Sequence, residues 1–364
     1  MIPIYKPYLP KDSVKYAYHA IETEWISSIG EYKNLASNKL CKILNAKKCL
    51  LVSNGTTACH LLIKALKYKH PNVNKIIVPN NVYIAAYNSI LFDGQTHFEI
   101  ICIDANIDTW NADYSLLKEL PDENTAFYVV HNMGNPVNVP ALKRKFPNSI
   151  FIEDNCEGLF GEYEQLCTGT ESLCSSLSFF GNKNITTGEG GAVLTNDVVV
   201  YDYIHKIHGQ GQTNTRFVHD VLGYNYRMTN IHAALLLGQL EYYDQIKEEK
   251  TRIFNTYKKH LSNIPRVYFQ QEENNCVHSK WMFGIRIKDN EGYDKTRSFF
   301  ESKGIETRPI FYSINNHAHL NHIVCDCSVA NLLNKECVIL PSYPELREVD
   351  IEYISDCVRE YVNR

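Results

Sequence analysis

The chain has 364 residues, 44% apolar and 21% charged, with a net charge of −4 at pH 7. That balance excludes a fibrous or disordered chain, gives no electrostatic pull toward nucleic acid or an anionic membrane, and leaves a soluble globular protein of about two domains. Its 12 cysteines follow no repeating frame, no apolar stretch reaches the roughly 18 residues of a membrane span, and no basic-then-apolar leader opens the sequence, so free thiols in a reducing cytoplasm are expected.

Taken in chain order, Val14, Ala17, Tyr18 and Ile21 have the spacing of an amphipathic helix, with Asp12 or Ser13 as its N-cap. Cys49–Val52 reads as a short buried strand, and Ser53-Asn54-Gly55-Thr56-Thr57 turns it into a helix from about Ala58 to Leu66. Further strands are predicted at Ile76–Val78, Phe98–Ile103, Ala126–Val130 and Ile150–Ile152. Leu177–Phe180 and Ala192–Thr195 flank a glycine-rich loop. Short apolar strands alternating with helices predict an α/β fold, a mainly parallel sheet covered on both faces. Ile231–Leu240, apolar nearly all round, reads as a buried helix, and Ile246, Ile253, Phe254, Tyr257 and Leu261 mark a long amphipathic one. Beyond Pro265 strand-like Trp281–Ile287 alternates with helices near Lys295–Lys303 and Ile351–Tyr361. Residues 1–249 are therefore expected to form a large domain and residues 250–364 a smaller α+β one.

Three features fall at predicted carboxyl ends of strands, where open α/β sheets bind ligands. At Ser53–Thr57 a glycine permits a tight turn, and the following helix N-terminus suits a phosphate; an ordinary capped turn would look the same. At Glu153-Asp154-Asn155-Cys156-Glu157 a strand ends in two acids. An Asp there can pair with a protonated ring nitrogen, although a solvated strand end also fits. The third is Ser178-Phe179-Phe180-Gly181-Asn182-Lys183, followed by Gly188-Glu189-Gly190-Gly191. A lysine that attaches a carbonyl cofactor must be partly desolvated and close to backbone, and this loop offers both.

These segments resemble the DegT/DnrJ/EryC1/StrS family of sugar aminotransferases, whose fold is that of the aspartate-aminotransferase (type I) pyridoxal-phosphate enzymes. Trp25-Ile26-Ser27-Ser28, Tyr224-Asn225-Tyr226-Arg227-Met228, Arg308-Pro309 and Leu340-Pro341-Ser342 extend the resemblance over nearly the whole chain. It is strongest to the perosamine synthetase-like branch, which aminates C4 of nucleotide-linked 4-keto-6-deoxyhexoses. The resemblance implies that Lys183 holds pyridoxal 5'-phosphate and shuttles protons, and that Asp154 pairs with the ring nitrogen. It places Glu157 near the ring hydroxyl, Tyr83 on the ring face, and Thr56, Thr57 and Ser178 at the phosphate. Asn225 would reach the phosphate of a neighbouring subunit, which makes a homodimer with shared sites. Trp25, Ser27, Arg308 and Tyr312 would line the sugar-nucleotide cleft. Two segments depart from the family pattern. Arg308-Pro309-Ile310-Phe311-Tyr312-Ser313-Ile314-Asn315 lacks the usual Pro and His, and His131-Asn132-Met133-Gly134 has Met in place of an aromatic.

The resemblance implies amination of the sugar with L-glutamate as donor. Amination at C3, or of a keto-inositol, is the alternative. Dehydratases of similar sequence carry His where Lys183 stands, and Lys183, Asp154 and the phosphate turn together argue against a non-catalytic binding protein. His317, His319, His322, Cys325 and Cys327 fit no zinc spacing, and no metal is expected there.

Overall fold

The computed structural model describes residues 1–92, 98–117 and 121–364. Helices α1 (Lys11–Glu22) and α2 (Glu31–Leu44) precede β1 (Lys48–Val52) and α3 (Gly55–Lys69). There follow β2 (Lys75–Pro79), α4 (Ala85–Leu91), β3 (Glu99–Ile103), β4 (Thr125–Val130), α5 (Val139–Lys145) and β5 (Ile150–Asp154). A small hairpin, β6 (Glu162–Tyr163) and β7 (Leu166–Cys167), leads to β8 (Ser175–Ser178), β9 (Gly191–Thr195) and α6 (Val198–His208). Next come α7 (Asn230–Glu241), α8 (Tyr243–Leu261), β10 (Val267–Phe269), β11 (Cys276–Val277) and β12 (Phe283–Ile287). The chain ends with α9 (Tyr293–Ser302), α10 (Ser328–Glu336), β13 (Cys337–Leu340) and α11 (Glu348–Val362).

Seven strands form the main sheet in the order β1-β9-β8-β5-β4-β2-β3. The pairs β8–β5, β5–β4, β4–β2 and β2–β3 are parallel; only β9 runs against its neighbours β1 and β8. Every residue of β4 is buried, as a central strand covered on both faces requires. One apolar core packs α3, α4 and α6 on one face of the sheet, and α2 and α7 pack on the other. The carboxyl ends of β2, β4, β5 and β8 therefore open on one rim.

A second sheet, β10-β12-β13, backs onto α8, α9 and α11 and has its own core, which runs from Ile253 to Val362. The two units are stitched together. Helix α8 runs unbroken through residue 250, and β11 pairs with β6 of the first unit. The N-terminal segment pairs Ile2 with Ile305, and Tyr5 then reaches the loop at Gly181.

The structure departs from sequence expectation in several places. No side chain caps α1, whose N-cap is Pro10. Ser13 is buried instead and donates to the Leu235 carbonyl. The apolar stripe of Val14, Tyr18 and Ile21 is exposed, while Ser13 and Ala20 pack inward. The cause is α7: a Cβ at Gly238 would meet the Ser13 nitrogen at 2.2 Å, so only small residues fit at this helix crossing. Helix α3 starts at Gly55 because Asn54 caps it, accepting from the Thr57 N–H at 2.9 Å. Strand β8 stops at Ser178, and Phe180 is left at an isolated bridge to Gly188. Strand β12 begins at Phe283, two residues after Trp281.

Candidate active site

At the rim lies a cavity of about 310 Å3 lined by Gly55, Thr56, Asp154, Glu157, Ser178 and Lys183, with Tyr83, Phe311 and Trp281 also contributing. Each group arrives from a strand end or a helix start. Gly55 and Thr56 open α3, and Gly55 packs so closely that a Cβ there would meet the Ser178 Cβ at 2.8 Å. Asp154 is the last residue of β5, and parallel pairing with β8 sets it beside Ser176.

Because side chains alternate along a strand, the two acids of β5 face opposite ways and serve different ends. Glu153 is fully buried and away from the cavity. It meets His131 Nε2 at 2.9 Å, the Tyr163 hydroxyl at 3.1 Å and the Gly169 N–H at 3.0 Å. His131 Nδ1 accepts from the Val137 N–H, so its proton sits on Nε2, toward Glu153. Burial pushes the Glu153 carboxyl up, but the bonds from His131 and Gly169 outweigh it and hold the group below the usual range. Asp154 faces the cavity. Its Oδ1 accepts from the Cys156 N–H at 3.0 Å and the Ser176 hydroxyl at 3.1 Å, which fixes the carboxylate plane.

Lys183 follows a turn in which its N–H donates to the Phe180 carbonyl at 2.9 Å. The adjacent Asn184 amide holds the loop to the Leu159 and Ser279 carbonyls. Lys183 Nζ lies 3.7 Å from Glu157 Oε1 and 3.9 Å from the centre of the Trp281 ring. An ammonium over an aromatic face is attracted to it, and more strongly once desolvated. Glu157 also accepts from the Met133 N–H at 2.8 Å. Its carboxyl is raised to about 7, chiefly by burial, with Lys183 opposing and Asp154 adding to the rise. Trp281 is itself tied down: its indole N–H donates to the Asn182 carbonyl at 3.0 Å, and its carbonyl accepts from the buried Lys250 amine at 2.7 Å.

Of the remaining residues singled out from the sequence, only Tyr83 touches the cavity. Thr57 is occupied in the α3 cap, its hydroxyl donating to the Asn54 carbonyl at 2.8 Å. Tyr83, 56% exposed, stands with its ring 5.7 Å from that of Phe311. The carbonyls of Trp25 and Ser27 accept from Asn230 at the start of α7, and both residues are exposed. Asn225 is exposed too, and its Oδ1 accepts from Arg227. Arg308 pairs with Glu306 at 2.7 Å and Tyr312 is 42% exposed; neither reaches the cavity wall. In the His/Cys segment, His319 bonds to Asn88 and the Cys325 thiol bonds to the Asp326 carbonyl.

Trp281, Phe311, Asn182, Cys59 and Cys156 line the cavity without having been singled out from the sequence. Two of them carried a signal. Cys59 lies three residues after Thr56, on the same face of α3, and Cys156 alternates with Asp154. Trp281 and Phe311 are supplied by the distant C-terminal unit, and no local pattern marks them.

The residues fit a phosphorylated pyridine aldehyde. A helix start with two hydroxyls, Thr56 and Ser178, suits the phosphate, a fixed carboxylate suits the ring nitrogen, and a partly desolvated amine suits the aldehyde. The model of the DegT/DnrJ/EryC1/StrS aminotransferase family matches residues 7–359. The chain is 35% identical to the GDP-perosamine synthase of Escherichia coli O157:H7 over 99% of this chain and 98% of that one. It is 31% identical to the GDP-perosamine synthase of Vibrio cholerae over the full length of both. Among solved structures, the Escherichia coli GDP-4-keto-6-deoxy-D-mannose-3-dehydratase superposes with a TM-score of 0.90 at 23% identity, covering 98% of this chain and 99% of that one. A putative sugar aminotransferase of Streptococcus pneumoniae does so with a TM-score of 0.90 at 19% identity, covering 100% and 99%. At such identities the superpositions report the fold: that of type I pyridoxal-phosphate transferases.

Proposed function

The chain belongs to the DegT/DnrJ/EryC1/StrS aminotransferase family, and from that premise we propose that it is a pyridoxal-phosphate-dependent enzyme converting a nucleotide-linked 4-keto-6-deoxyhexose to the 4-amino-4,6-dideoxy sugar, with L-glutamate as donor. The full-length relatives named GDP-perosamine synthase support GDP as the nucleotide. The observation that carries the reading is Lys183, an amine on the cavity wall between a carboxyl and an indole face.

Pyridoxal phosphate, when bound, supplies an electron sink and stores the amino group between the two half-reactions. Asp154, fixed by Cys156 and Ser176, keeps a proton on the ring nitrogen. Thr56, Ser178 and the start of α3 hold the phosphate. Lys183 would hold the group through Nζ and would carry protons at that atom. Glu157, with its carboxyl near 7, holds or yields a proton beside Lys183. Trp281 covers Lys183 and keeps water from it.

We further infer a cytoplasmic homodimer with shared sites. Its support is the exposed apolar face of Val14, Tyr18 and Ile21, continued by Trp25, Ile26 and Ile29. Trp25, Ser27 and Asn225 stand away from the cavity of their own chain, which fits a role at a partner's. The described cysteines are all free, and no helix among the described residues is long and apolar enough to cross a membrane.

Glutamate alone should bleach the visible absorption of the holoenzyme, and a GDP-linked 4-keto-6-deoxyhexose should restore it. Borohydride should fix the cofactor to the peptide containing Lys183. The recovered sugar should carry nitrogen at C4. Nitrogen at C3 would reassign the position, and loss of oxygen without gain of nitrogen would make the enzyme a dehydratase despite Lys183.

A further inference from the structure

Two thiols on the cavity wall take no part in the proposed reaction. Cys59 on α3 and Cys156 beyond β5 both line the cavity. Cys59 Sγ lies 3.6 Å from Asp154 Oδ2. Ser176 Oγ lies 3.5 Å from Cys59 Sγ, 3.4 Å from Cys156 Sγ and 3.1 Å from Asp154 Oδ1. One ligand atom from each of Cys59, Asp154 and Cys156 falls within 4.8 Å of the others, and theirs is the one such grouping among the described residues.

The 3.6 Å between Cys59 Sγ and Asp154 Oδ2 is the separation of neighbouring ligands at a metal centre. Tetrahedral bonds of about 2.3 Å to sulfur and about 2.0 Å to oxygen set neighbouring ligand atoms roughly 3.5–3.8 Å apart. Two sulfurs and one carboxylate oxygen favour a borderline or soft divalent cation over Mg2+ or Ca2+. The grouping is held by the fold: β5 and β8 pair Asp154 with Ser176, and α3 packs its Cys59 against both. The 310 Å3 cavity gives the ion its entry path and the room for a water as fourth ligand.

We propose that Cys59, Asp154 and Cys156 form a thiophilic divalent-cation site, for Zn2+ or Cd2+, that is open only while the cofactor is absent. On binding, each thiol gives its proton to solvent, two S–metal bonds and one O–metal bond form, and no electrons move. The exclusion rests on the proposed function, because a carboxylate bound to a cation cannot also hold the ring-nitrogen proton. A chain that meets zinc before its cofactor is thereby held inactive, and cofactor loading expels the ion.

The test titrates cofactor-stripped protein with Cd2+ and reads the ultraviolet thiolate-to-cadmium charge-transfer band. One equivalent should bind. Replacing even an outer-shell partner of a metal ligand weakens binding about 10–100-fold, so Cys59→Ser and Cys156→Ser should each weaken it by about 100-fold or more, whereas Cys357→Ala, in the C-terminal unit, should leave it unchanged. The serine variants keep the volume of the site, and circular dichroism checks that they fold. Pyridoxal phosphate added to the cadmium form should abolish the band as its own absorption grows. No band in the stripped protein, or equal affinity in the serine variants, overturns the site. A band that persists undiminished in the loaded protein overturns the exclusion. The cadmium band does not depend on turnover, so failure of this site and failure of the aminotransferase reading give separate results.

Discussion

At the scale of the residue, the fold gives two acids three positions apart opposite surroundings. Asp154 is bonded by an N–H and a hydroxyl, whereas Glu157 is buried with its carboxyl raised to about 7. Asp154→Asn keeps an oxygen for those two donors and should fold, yet a neutral amide cannot hold a pyridinium proton. Turnover should drop by about 100-fold or more, and near-normal turnover would refute the role. Glu157 titrates near 4.5 in the unfolded chain. Between that value and about 7 the folded chain binds more protons, so stability falls as pH rises. Its contribution is complete below about pH 4.5 and lost above about pH 7. Denaturant melts of cofactor-free Glu157→Gln should therefore show it gaining on the parent by up to about 3 kcal/mol between about pH 5 and about pH 8. A pH-independent difference would show that Glu157 is not the titrating group.

At the scale of the element, the crossing of α1 and α7 has no slack. Gly238→Ala should gain up to about 1 kcal/mol of helix propensity, but its Cβ would lie 2.2 Å from the Ser13 backbone nitrogen. Overpacking against backbone wins, and the urea midpoint should fall by the equivalent of about 2 kcal/mol; a rise would mean that α1 is free to move aside. The same crossing shows where sequence reasoning ran out. The 3.6-residue period announced α1 but not the face that meets α7, because small residues make that contact and the apolar stripe is left exposed. Strands β1 to β5 were legible because each is a short apolar run fixed by its own neighbours in the chain. The Lys183 loop and the end of β5 were legible for the same local reason. Trp281 and Phe311 were not, since a distant sheet brings them to the cavity.

At the scale of the whole molecule, an exposed apolar face and three site candidates outside the cavity point the same way. If Asn225 serves a partner's site, mixing Lys183→Ala chains with Asn225→Ala chains should restore activity. Half the sites of each mixed dimer would carry both defects and half neither, so recovery should approach about a quarter of the parent rate when the chains exchange freely. No recovery despite proven exchange would place Asn225 in its own chain's site. The N-terminal segment has a different consequence. Ile4 donates to Glu306 across 302 residues of sequence, and Ile2 pairs with Ile305. On a ribosome adding about 5–20 residues per second, the N-terminal segment waits roughly 15–60 s for its partner to emerge. The sheet that carries Asp154 and Lys183 is complete well before then. The nascent chain thus has every strand of its main sheet before Trp281, the cover over Lys183, has been made.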